Sequence, residues 1–266
     1  MLIDERTLFT PGLCCSIPRA CIRKLVFAVP HHSAAWRIAF SAIPARSRVF
    51  EEFGIDYCCG GRLSLADACA RRGLQPDAVR RRLAEADAEG VLGGTDWRAA
   101  RLADLCGHIV ATHHAFLRRE LPRLRDLLGK LARVHGNRHP ELRDVLAVFE
   151  PFAAELISHA AKEEQVLFPL ITWIESGDVP PTPFVLQPIK VMEAEHGDAG
   201  RALSEMRRLT GGYAVPADGC NTYRAAMAGL AELEADTHAH VHKENNILFP
   251  RAARLVAEAG VHGGGR

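Results

Sequence analysis

Residues 159–169 read HAAKEEQVLFP, and residues 240–250 read HVHKENNILFP. Each stretch places a histidine and a glutamate four positions apart, so that on a helix the two side chains share one face, one turn apart. Each stretch then continues with an aliphatic residue, Leu-Phe and proline at the same offsets. Two segments with the same pattern and the same tail indicate a duplicated structural unit rather than a coincidence.

Four long segments with helical periodicity make up most of the chain, and none of the sequence has the alternation of a strand. The predicted helices run over residues 98–134, 140–175, 187–210 and 221–258, and connections rich in glycine and proline separate them. Helices of this kind bury their apolar stripes against one another. The sequence therefore predicts an all-α protein in which residues 98–258 form an up-down four-helix bundle.

The sequence ahead of the bundle divides into three parts. Residues 1–40 show no clear periodicity, and we expect a flexible extension there. Residues 41–89 predict a small helical domain of three short helices, with the turn DYCCGG (residues 56–61) between the first and the second. Residues 90–97 begin with Gly-Val-Leu-Gly-Gly and predict a linker.

Ten of the 13 histidines lie within the predicted bundle. A single histidine on an apolar helix face is more often a hydrogen-bonded core residue than a ligand, so the spacing has to decide. His114 precedes His159 by 45 residues (159 − 114), and His196 precedes His240 by 44 (240 − 196), which fits a duplicated helix pair. Each of the four lies in an apolar stripe with steps of three and four, and all four are therefore expected to face the core.

Glu163 and Glu244 share these stripes, and Val166 is expected to face the core with them. An unpaired buried carboxylate costs several kcal/mol, and a metal centre removes that cost. Four imidazoles and two carboxylates are too many ligands for one tetrahedral zinc. If both glutamates bridge, each of two metals receives two histidines and two carboxylate oxygens, and open positions remain for oxo, hydroxo, oxygen or nitric oxide.

The mixed nitrogen and oxygen ligation favours non-haem iron over manganese or zinc. The HxxxE pattern also favours a site of the hemerythrin type over the ExxH pairs of ferritin-like bundles. His113 is the rival of His114, since it lies one residue away and about 100° around the helix, and the spacing leaves both open. Glu155 lies one turn before His159, and Glu195 lies one residue before His196. Both are candidates either for hydrogen-bond partners of ligand imidazoles or for carboxylates lining the site.

Charge and composition narrow the classes of function. The 33 lysines and arginines nearly balance the 32 aspartates and glutamates, so no long-range field favours nucleic acid or an anionic membrane surface. No apolar run approaches the roughly 20 residues that span a bilayer. We therefore expect a cytoplasmic protein without nucleic-acid or membrane partners. Its eight cysteines are expected to be reduced, and the adjacent pair Cys58 and Cys59 is poorly placed to form a bridge.

Residues 41–254 resemble the iron–sulfur cluster repair di-iron proteins, also called RIC proteins, and the bundle resembles hemerythrin-like domains. The resemblance is carried by Ile43-Pro-Ala-Arg, DYCCGG, Asp96-Trp-Arg, Met192-Glu-Ala-Glu-His196 and both segments that end in Leu-Phe-Pro. It favours His114 over His113 and implies two non-haem iron ions, bridged by both carboxylates and by an oxo group. The ligands that it implies are His114, His159, Glu163, His196, His240 and Glu244.

The resemblance also implies a function. It predicts a cytoplasmic stress-response protein that repairs iron–sulfur clusters damaged by oxidative or nitrosative stress, by supplying iron to the damaged iron–sulfur proteins. Such a protein is a repair factor rather than a conventional enzyme. The resemblance further implies a homodimer to which Cys58 and Cys59 contribute thiols, although adjacent cysteines beside a glycine turn can also be small apolar fillers.

Two other functions remain open from the residues alone. A hemerythrin-like module can bind or sense oxygen or nitric oxide, and a di-iron enzyme can reduce nitric oxide. The resemblance does not cover residues 1–40.

Overall fold

Helices, turns and loops account for all the residues that the structure describes, and none of these residues forms a strand. The computed structural model describes residues 45–55, 64–89, 95–177 and 183–263. The predicted all-α class is confirmed. The predicted extension (residues 1–40) and the DYCCGG turn with Cys58 and Cys59 lie outside the described residues. The domain boundaries stay predictions.

Three short helices precede the bundle. They are α1 (Ala45–Glu52), α2 (Leu65–Arg72) and α3 (Pro76–Glu89). α2 begins with a capping box, in which Ser64 Oγ accepts a hydrogen bond from the Asp67 amide at 3.1 Å and the Asp67 carboxylate accepts one from the Ser64 amide at 3.4 Å. It ends at Gly73, whose φ of 65° lies in the left-handed region that favours glycine.

A separate apolar cluster holds these three helices together. Its buried members are Val49, Phe50, Ile55, Leu65, Ala68, Cys69, Val79, Leu83 and Ala86. The cluster is small, so the unit has little apolar burial of its own to offset the entropy of ordering its chain.

Four long helices form the bundle. They are α4 (residues 102–134), α5 (residues 141–175), α6 (Pro183–Leu209) and α7 (residues 221–263). α4 packs against α5 and α7, α5 packs against α6, and the C-terminal part of α7 also reaches α6. Short connections make sequential helices antiparallel neighbours. The predicted four-helix bundle is confirmed.

α4 begins at Leu102, whereas residue 98 was predicted. Its first two amide groups donate hydrogen bonds to the carboxylate of Glu175, at the far end of α5, over 2.6 and 3.0 Å. The carbonyls of Trp97 and Ala100 accept hydrogen bonds from the Arg251 guanidinium. Side chains from α5 and α7 therefore satisfy backbone groups that a longer helix would have paired internally.

Two apolar clusters fill the bundle, one on each side of a polar layer that contains the six predicted metal ligands. The first includes Leu117, Leu121, Leu124, Leu128, Phe149, Phe152, Leu156, Ala199, Leu203, Met206, Leu230 and Leu233. The second includes Leu102, Leu105, Ile109, Leu167, Phe168, Ile171, Met192, Ile247, Leu248 and Phe249. On every helix the predicted metal ligands lie between the members of one cluster and those of the other. Apolar burial on both sides, rather than the polar layer, is the main source of stability.

α4, α5 and α7 each contain a five-residue π-helical turn at the level of the polar layer. The turns are Val110–His114, Glu163–Leu167 and Glu244–Leu248. The second and third are each followed, after one residue, by a proline, which cannot donate a backbone hydrogen bond and so fits where the regular ladder is interrupted. In the part of the chain that the structure describes, no helix has both the length and the apolar character needed to cross a membrane.

Candidate metal centre

Six buried side chains meet in the polar layer and form two donor groups, each of which could hold a metal ion. One group is His114, Glu163, His240 and Glu244, and the other is His159, Glu163, His196 and Glu244. Within each group the potential ligand atoms lie within 4.8 Å of one another. Each group has two imidazoles, and both groups share the two carboxylates. The arrangement suits a pair of metal ions with the glutamates between them.

The Nε2 atoms of the imidazoles point at the carboxylates. His114 Nε2 lies 3.1 Å from Glu163 Oε2, and His240 Nε2 lies 3.0 Å from Glu244 Oε1. His159 Nε2 and His196 Nε2 are 3.0 Å from each other. Two such nitrogens turned toward one point are typical of metal-ligating imidazoles.

Both glutamates are fully buried and keep one oxygen without a hydrogen bond. Glu163 Oε1 lies 3.3 Å from His159 Nε2, and Glu244 Oε2 lies 3.1 Å from His196 Nε2, yet neither contact has hydrogen-bond geometry. A buried carboxylate oxygen without a partner costs free energy. Cations placed between the carboxylates would remove this cost, so the residues fit the metal pair that the fold implies.

Electrostatics favour ionised carboxylates in this layer. Burial alone would raise the pKa of Glu163, but the surrounding imidazoles outweigh it and hold that pKa well below its ordinary value. Burial and the charge of Glu163 would likewise raise the pKa of Glu244, and His240 and His196 reverse the direction. Both side chains are therefore available as anionic ligands at neutral pH.

The outer nitrogens of three of the imidazoles are held by acceptors. His114 Nδ1 lies 2.7 Å from a Glu164 oxygen, His159 Nδ1 lies 2.8 Å from Glu195, and His196 Nδ1 lies 2.9 Å from the Asn245 side-chain oxygen. A ring that donates from Nδ1 keeps Nε2 free to bind a metal. Arg118 binds the Glu164 carboxylate and Lys162 binds that of Glu195, which fixes both acceptors in place.

Two of these acceptors were not predicted from the sequence. Glu164 and Asn245 each come directly after a shared glutamate, at the same offset in the two repeated segments. A polar residue at this offset in both segments is the signal that could have revealed them. Glu195 was predicted as a possible partner of a ligand imidazole, and the structure places it against His159.

The π-turns change which side chains face the core. Val166 was expected to be buried in the stripe of His159, and this prediction is wrong because Val166 is 56% exposed. It lies inside the turn Glu163–Leu167, where the wider backbone shifts the register of a regular helix. Leu167 takes the buried position instead.

The turn Val110–His114 buries both members of the pair His113 and His114. His113 belongs to neither donor group. Its Nδ1 lies 2.8 Å from Asp236, its Nε2 lies 2.9 Å from the Lys243 ammonium, and its ring stacks on that of His240 with centroids 5.3 Å apart. Because hydrogen bonds to protein groups occupy both of its nitrogens, His113 supports the site from outside.

A cavity of about 240 Å³ adjoins the site and is lined by three of its imidazoles, those of His159, His196 and His240. Phe152 and other apolar side chains form part of its wall. The exposed Glu155, which was predicted to line the site or to support a ligand, lies on this wall together with Glu195. The cavity gives a small molecule or ion access to the donor groups.

Metal binding is expected to release protons. Burial would lower the pKa of His240, but the charge of Glu244, its hydrogen bond with His240 and the nearby charge of Glu163 outweigh it and raise this pKa to about 10. In the metal-free protein His240 therefore carries a proton at neutral pH, and a metal must displace it. We expect the apparent metal affinity to increase with pH up to about 10.

Calorimetric titration of the metal-free protein with ferrous iron, in two buffers of different ionisation enthalpy, measures the protons released. His139→Ala is a suitable control, because His139 pairs with Glu141 and Asp218 outside both donor groups, and it should leave the release unchanged. Binding without proton release would contradict the ionisation state given to His240.

Comparisons with known proteins agree with this geometry. Residues 107–252 match the family model described as the hemerythrin HHE cation binding domain. Residues 38–87 match the model of ScdA_N, described as a domain of unknown function, DUF542.

The chain is also similar to curated proteins along most of its length. It is 40% identical over 213 residues to the iron-sulfur cluster repair protein YtfE of Musicola paradisiaca (strain Ech703), which covers 80% of this chain and 93% of that protein. It is 36% identical over 211 residues to the YtfE proteins of Enterobacter sp. (strain 638) and Escherichia coli O81 (strain ED1a), and in both cases 79% of this chain and 92% of the relative are covered.

Proposed function

Because the chain belongs to the hemerythrin HHE cation-binding family and to the family of YtfE iron-sulfur cluster repair proteins, we propose that it repairs damaged iron–sulfur clusters with iron held in its bundle. The observation that carries the proposal is the pair of donor groups that share Glu163 and Glu244. A site with two equivalent halves suits two iron ions, and its buried carboxylates balance their charge.

The proposed ligands of the two irons are the six residues of the donor groups, with both glutamates bridging. When bound, such a pair supplies Lewis-acid and one-electron chemistry at positions that protein ligands leave open. Glu163 and Glu244 provide anionic charge, and Glu164, Glu195 and Asn245 hold the imidazoles in orientation through their outer nitrogens.

Iron that serves as cargo has to leave the site. The cavity supports a route for it, because the wall that includes His159, His196 and His240 also carries the carboxylates of Glu155 and Glu195. Carboxylates and imidazoles both bind ferrous iron. Glu155 is exposed whereas Glu195 is half-buried, so the two offer successive oxygen ligands between the donor groups and solvent.

We further propose that the protein acts in the cytoplasm as a homodimer, on iron–sulfur proteins damaged by oxidative or nitrosative stress. Cys58 and Cys59 are the proposed thiols of this reaction. Thiolates bind iron well, so an adjacent pair could hold the ion during transfer. The family resemblance of the DYCCGG turn supports this role.

A repair assay tests the proposal. Iron-loaded protein is mixed with a [4Fe–4S] dehydratase that nitric oxide has inactivated, and both the dehydratase activity and the iron remaining on the protein are measured. We expect activity to return as iron leaves. Recovery no greater than that given by the same amount of free ferrous iron with metal-free protein would contradict the proposal.

Substitutions of the two adjacent cysteines test the proposed role of their thiols. Cys58→Ser and Cys59→Ser are expected to lower repair while leaving the iron content unchanged, because each donor group already has four potential ligands without them. Cys220→Ser is the matched control, since Cys220 is an exposed thiol at the start of α7, and it should keep full repair. Full repair in both of the first two variants would end the thiol role.

The cavity also favours a second candidate function, the reversible binding of oxygen or nitric oxide. Its partly apolar wall and its contact with three imidazoles suit a small uncharged gas. Rapid mixing of reduced, iron-loaded protein with each gas, followed by absorption, separates the two functions. Reversible gas binding together with no transfer of iron would favour the sensing function over repair.

A further inference from the structure

Thr237 lies on α7 one turn before His240 and lines the cavity beside the donor groups. It is 2% exposed. Its hydroxyl is buried and has no hydrogen-bond partner in the protein. A buried hydroxyl without a partner is less favourable than an apolar group of the same shape, so this position needs an explanation.

A threonine hydroxyl bonded to the carbonyl four residues back is seen elsewhere in the same bundle. Thr210, the first residue after α6, donates to the Met206 carbonyl at 2.8 Å and accepts a hydrogen bond from the Tyr213 amide at 2.9 Å. Bonding to the carbonyl four residues back is the common local solution for threonine. Thr237 lies in the middle of a long helix and does not use it.

The polar groups around Thr237 already have partners, so its hydroxyl remains available as a hydrogen-bond donor in the buried part of the cavity. The outer nitrogens of His159 and His196 already donate to Glu195 and Asn245. The Lys162 ammonium lies nearer the surface and binds Glu195. The wall also includes the apolar residues Phe152, Leu156, Ala199 and Val241, whose side chains offer the hydroxyl no acceptor.

We propose that the Thr237 hydroxyl donates a hydrogen bond to a small exogenous ligand that occupies this cavity beside the metal pair. The ligand class is an anion or dipolar molecule of two or three heavy atoms, with one end free to face the metals and the other able to accept a hydrogen bond. Thr237 is thus a positioning residue for the ligand. The inference rests on the metal pair of the proposed function and adds the group that selects what binds there.

The hydrogen bond would discriminate among ligands. A buried hydroxyl without a partner favours a ligand that can accept a hydrogen bond over an apolar molecule of the same size, because only the former satisfies it. The site is therefore tuned toward acceptors such as azide or the nitrogen oxides.

Azide is the probe for the test, and its affinity for the oxidised, iron-loaded protein is measured by optical titration. Thr237→Val removes the hydroxyl and keeps the shape, whereas Thr237→Ser keeps the hydroxyl. We expect Thr237→Val to weaken azide binding by about tenfold or more, the usual effect of losing a hydrogen bond to a charged partner. Thr237→Ser should stay within about threefold of the wild type, an effect below 1 kcal/mol.

The metal-free protein gives a second readout that does not depend on ligand binding. Because the Thr237 hydroxyl has no hydrogen-bond partner in the protein, metal-free Thr237→Val is expected to melt at the same temperature as the wild type or higher. Thr210→Val should melt lower, because it removes the hydrogen bonds of this hydroxyl to the Met206 and Arg207 carbonyls and from the Tyr213 amide. A fall in Thr237→Val as large as that in Thr210→Val would show a structural partner for the hydroxyl and overturn the inference.

Two azide results would also overturn it. One is Thr237→Val binding azide within twofold of the wild type, and the other is an equal loss in Thr237→Val and Thr237→Ser, which would point to packing. Iron analysis of the same samples shows whether the Thr237 inference alone has failed or the proposed two-iron site as well. If the wild type binds two irons per chain, the two-iron site is supported and only the inference fails. If it binds none, both are wrong.

Discussion

Replacing Glu163 with alanine is expected to remove both metal ions from the bundle while leaving its helices folded. Glu163 belongs to both donor groups, so its loss would deprive each of the two proposed metal ions of a ligand. It is fully buried, and no other carboxylate belongs to both groups except Glu244. By contrast, His114 belongs to one group only, and His114→Ala is expected to weaken one of the two metal positions.

The measurement is the iron content per chain after reconstitution and desalting, together with circular dichroism. We expect about two irons in the wild type, close to none in Glu163→Ala and about one in His114→Ala. The metal-free forms should have equal helicity. Each bound ion should add about 4 kcal/mol of stability at a free-metal concentration of roughly 1,000 times Kd, so the gain on loading should be largest in the wild type, about half as large in His114→Ala and close to zero in Glu163→Ala. Glu193→Ala is a matched control on an exposed face of α6. Two irons retained by Glu163→Ala would contradict the bridging role.

Replacing Phe149 with alanine is expected to have the opposite effect, a loss of stability with the metal site kept. Phe149 is fully buried in the first apolar cluster, and the centroid of its ring lies 6.4 Å from the centroid of the Phe152 ring. Truncating a buried phenylalanine costs about 3–5 kcal/mol, because apolar burial is lost and a cavity remains. The loss should be the same in the metal-free and in the loaded protein, since the ring lies outside both donor groups.

Urea unfolding followed by circular dichroism measures this loss. Val134→Ala serves as the control, because Val134 lies on the same bundle but is 65% exposed, and it should change stability by no more than about 0.5 kcal/mol. Below its unfolding transition, Phe149→Ala should still load iron. A variant that stays fully stable but loses its iron would mean that the metal layer and the apolar clusters are not separate sources of stability.

The sequence carried enough information to predict the bundle and to single out six donor residues. Periodicity predicted the four helices, and the repeated HxxxE segments predicted which faces would meet. The choice between His113 and His114 needed the family resemblance, because the spacing of the other ligands leaves both positions open. The structure buries both and separates them by their contacts: His114 reaches Glu163, whereas His113 contacts Asp236 and Lys243.

The π-turns lay beyond the reach of a periodicity argument. Helical spacing assumes 3.6 residues per turn, and each π-turn breaks that count. This is why Val166 was wrongly expected to face the core. It also explains why Glu164 and Asn245 were overlooked, since a regular helix would turn residues that follow a ligand away from the site.

Helix ends were also set by distant contacts. α4 starts at Leu102 because Glu175 and Arg251 satisfy backbone groups before and at its first turn. Those partners are 73 and roughly 150 residues away along the chain, so local sequence signals could not reveal them. The orphaned hydroxyl of Thr237 is likewise a property of packing, because a threonine on a helix gives no sign in sequence of whether it bonds to its own backbone.

The central claim is that the bundle holds two iron ions between Glu163 and Glu244. Metal analysis combined with Mössbauer spectroscopy on freshly purified protein tests it most directly. The account predicts two irons per chain, both with nitrogen and oxygen ligands and magnetically coupled through shared ligands. One metal or none per chain, or zinc throughout, would contradict it.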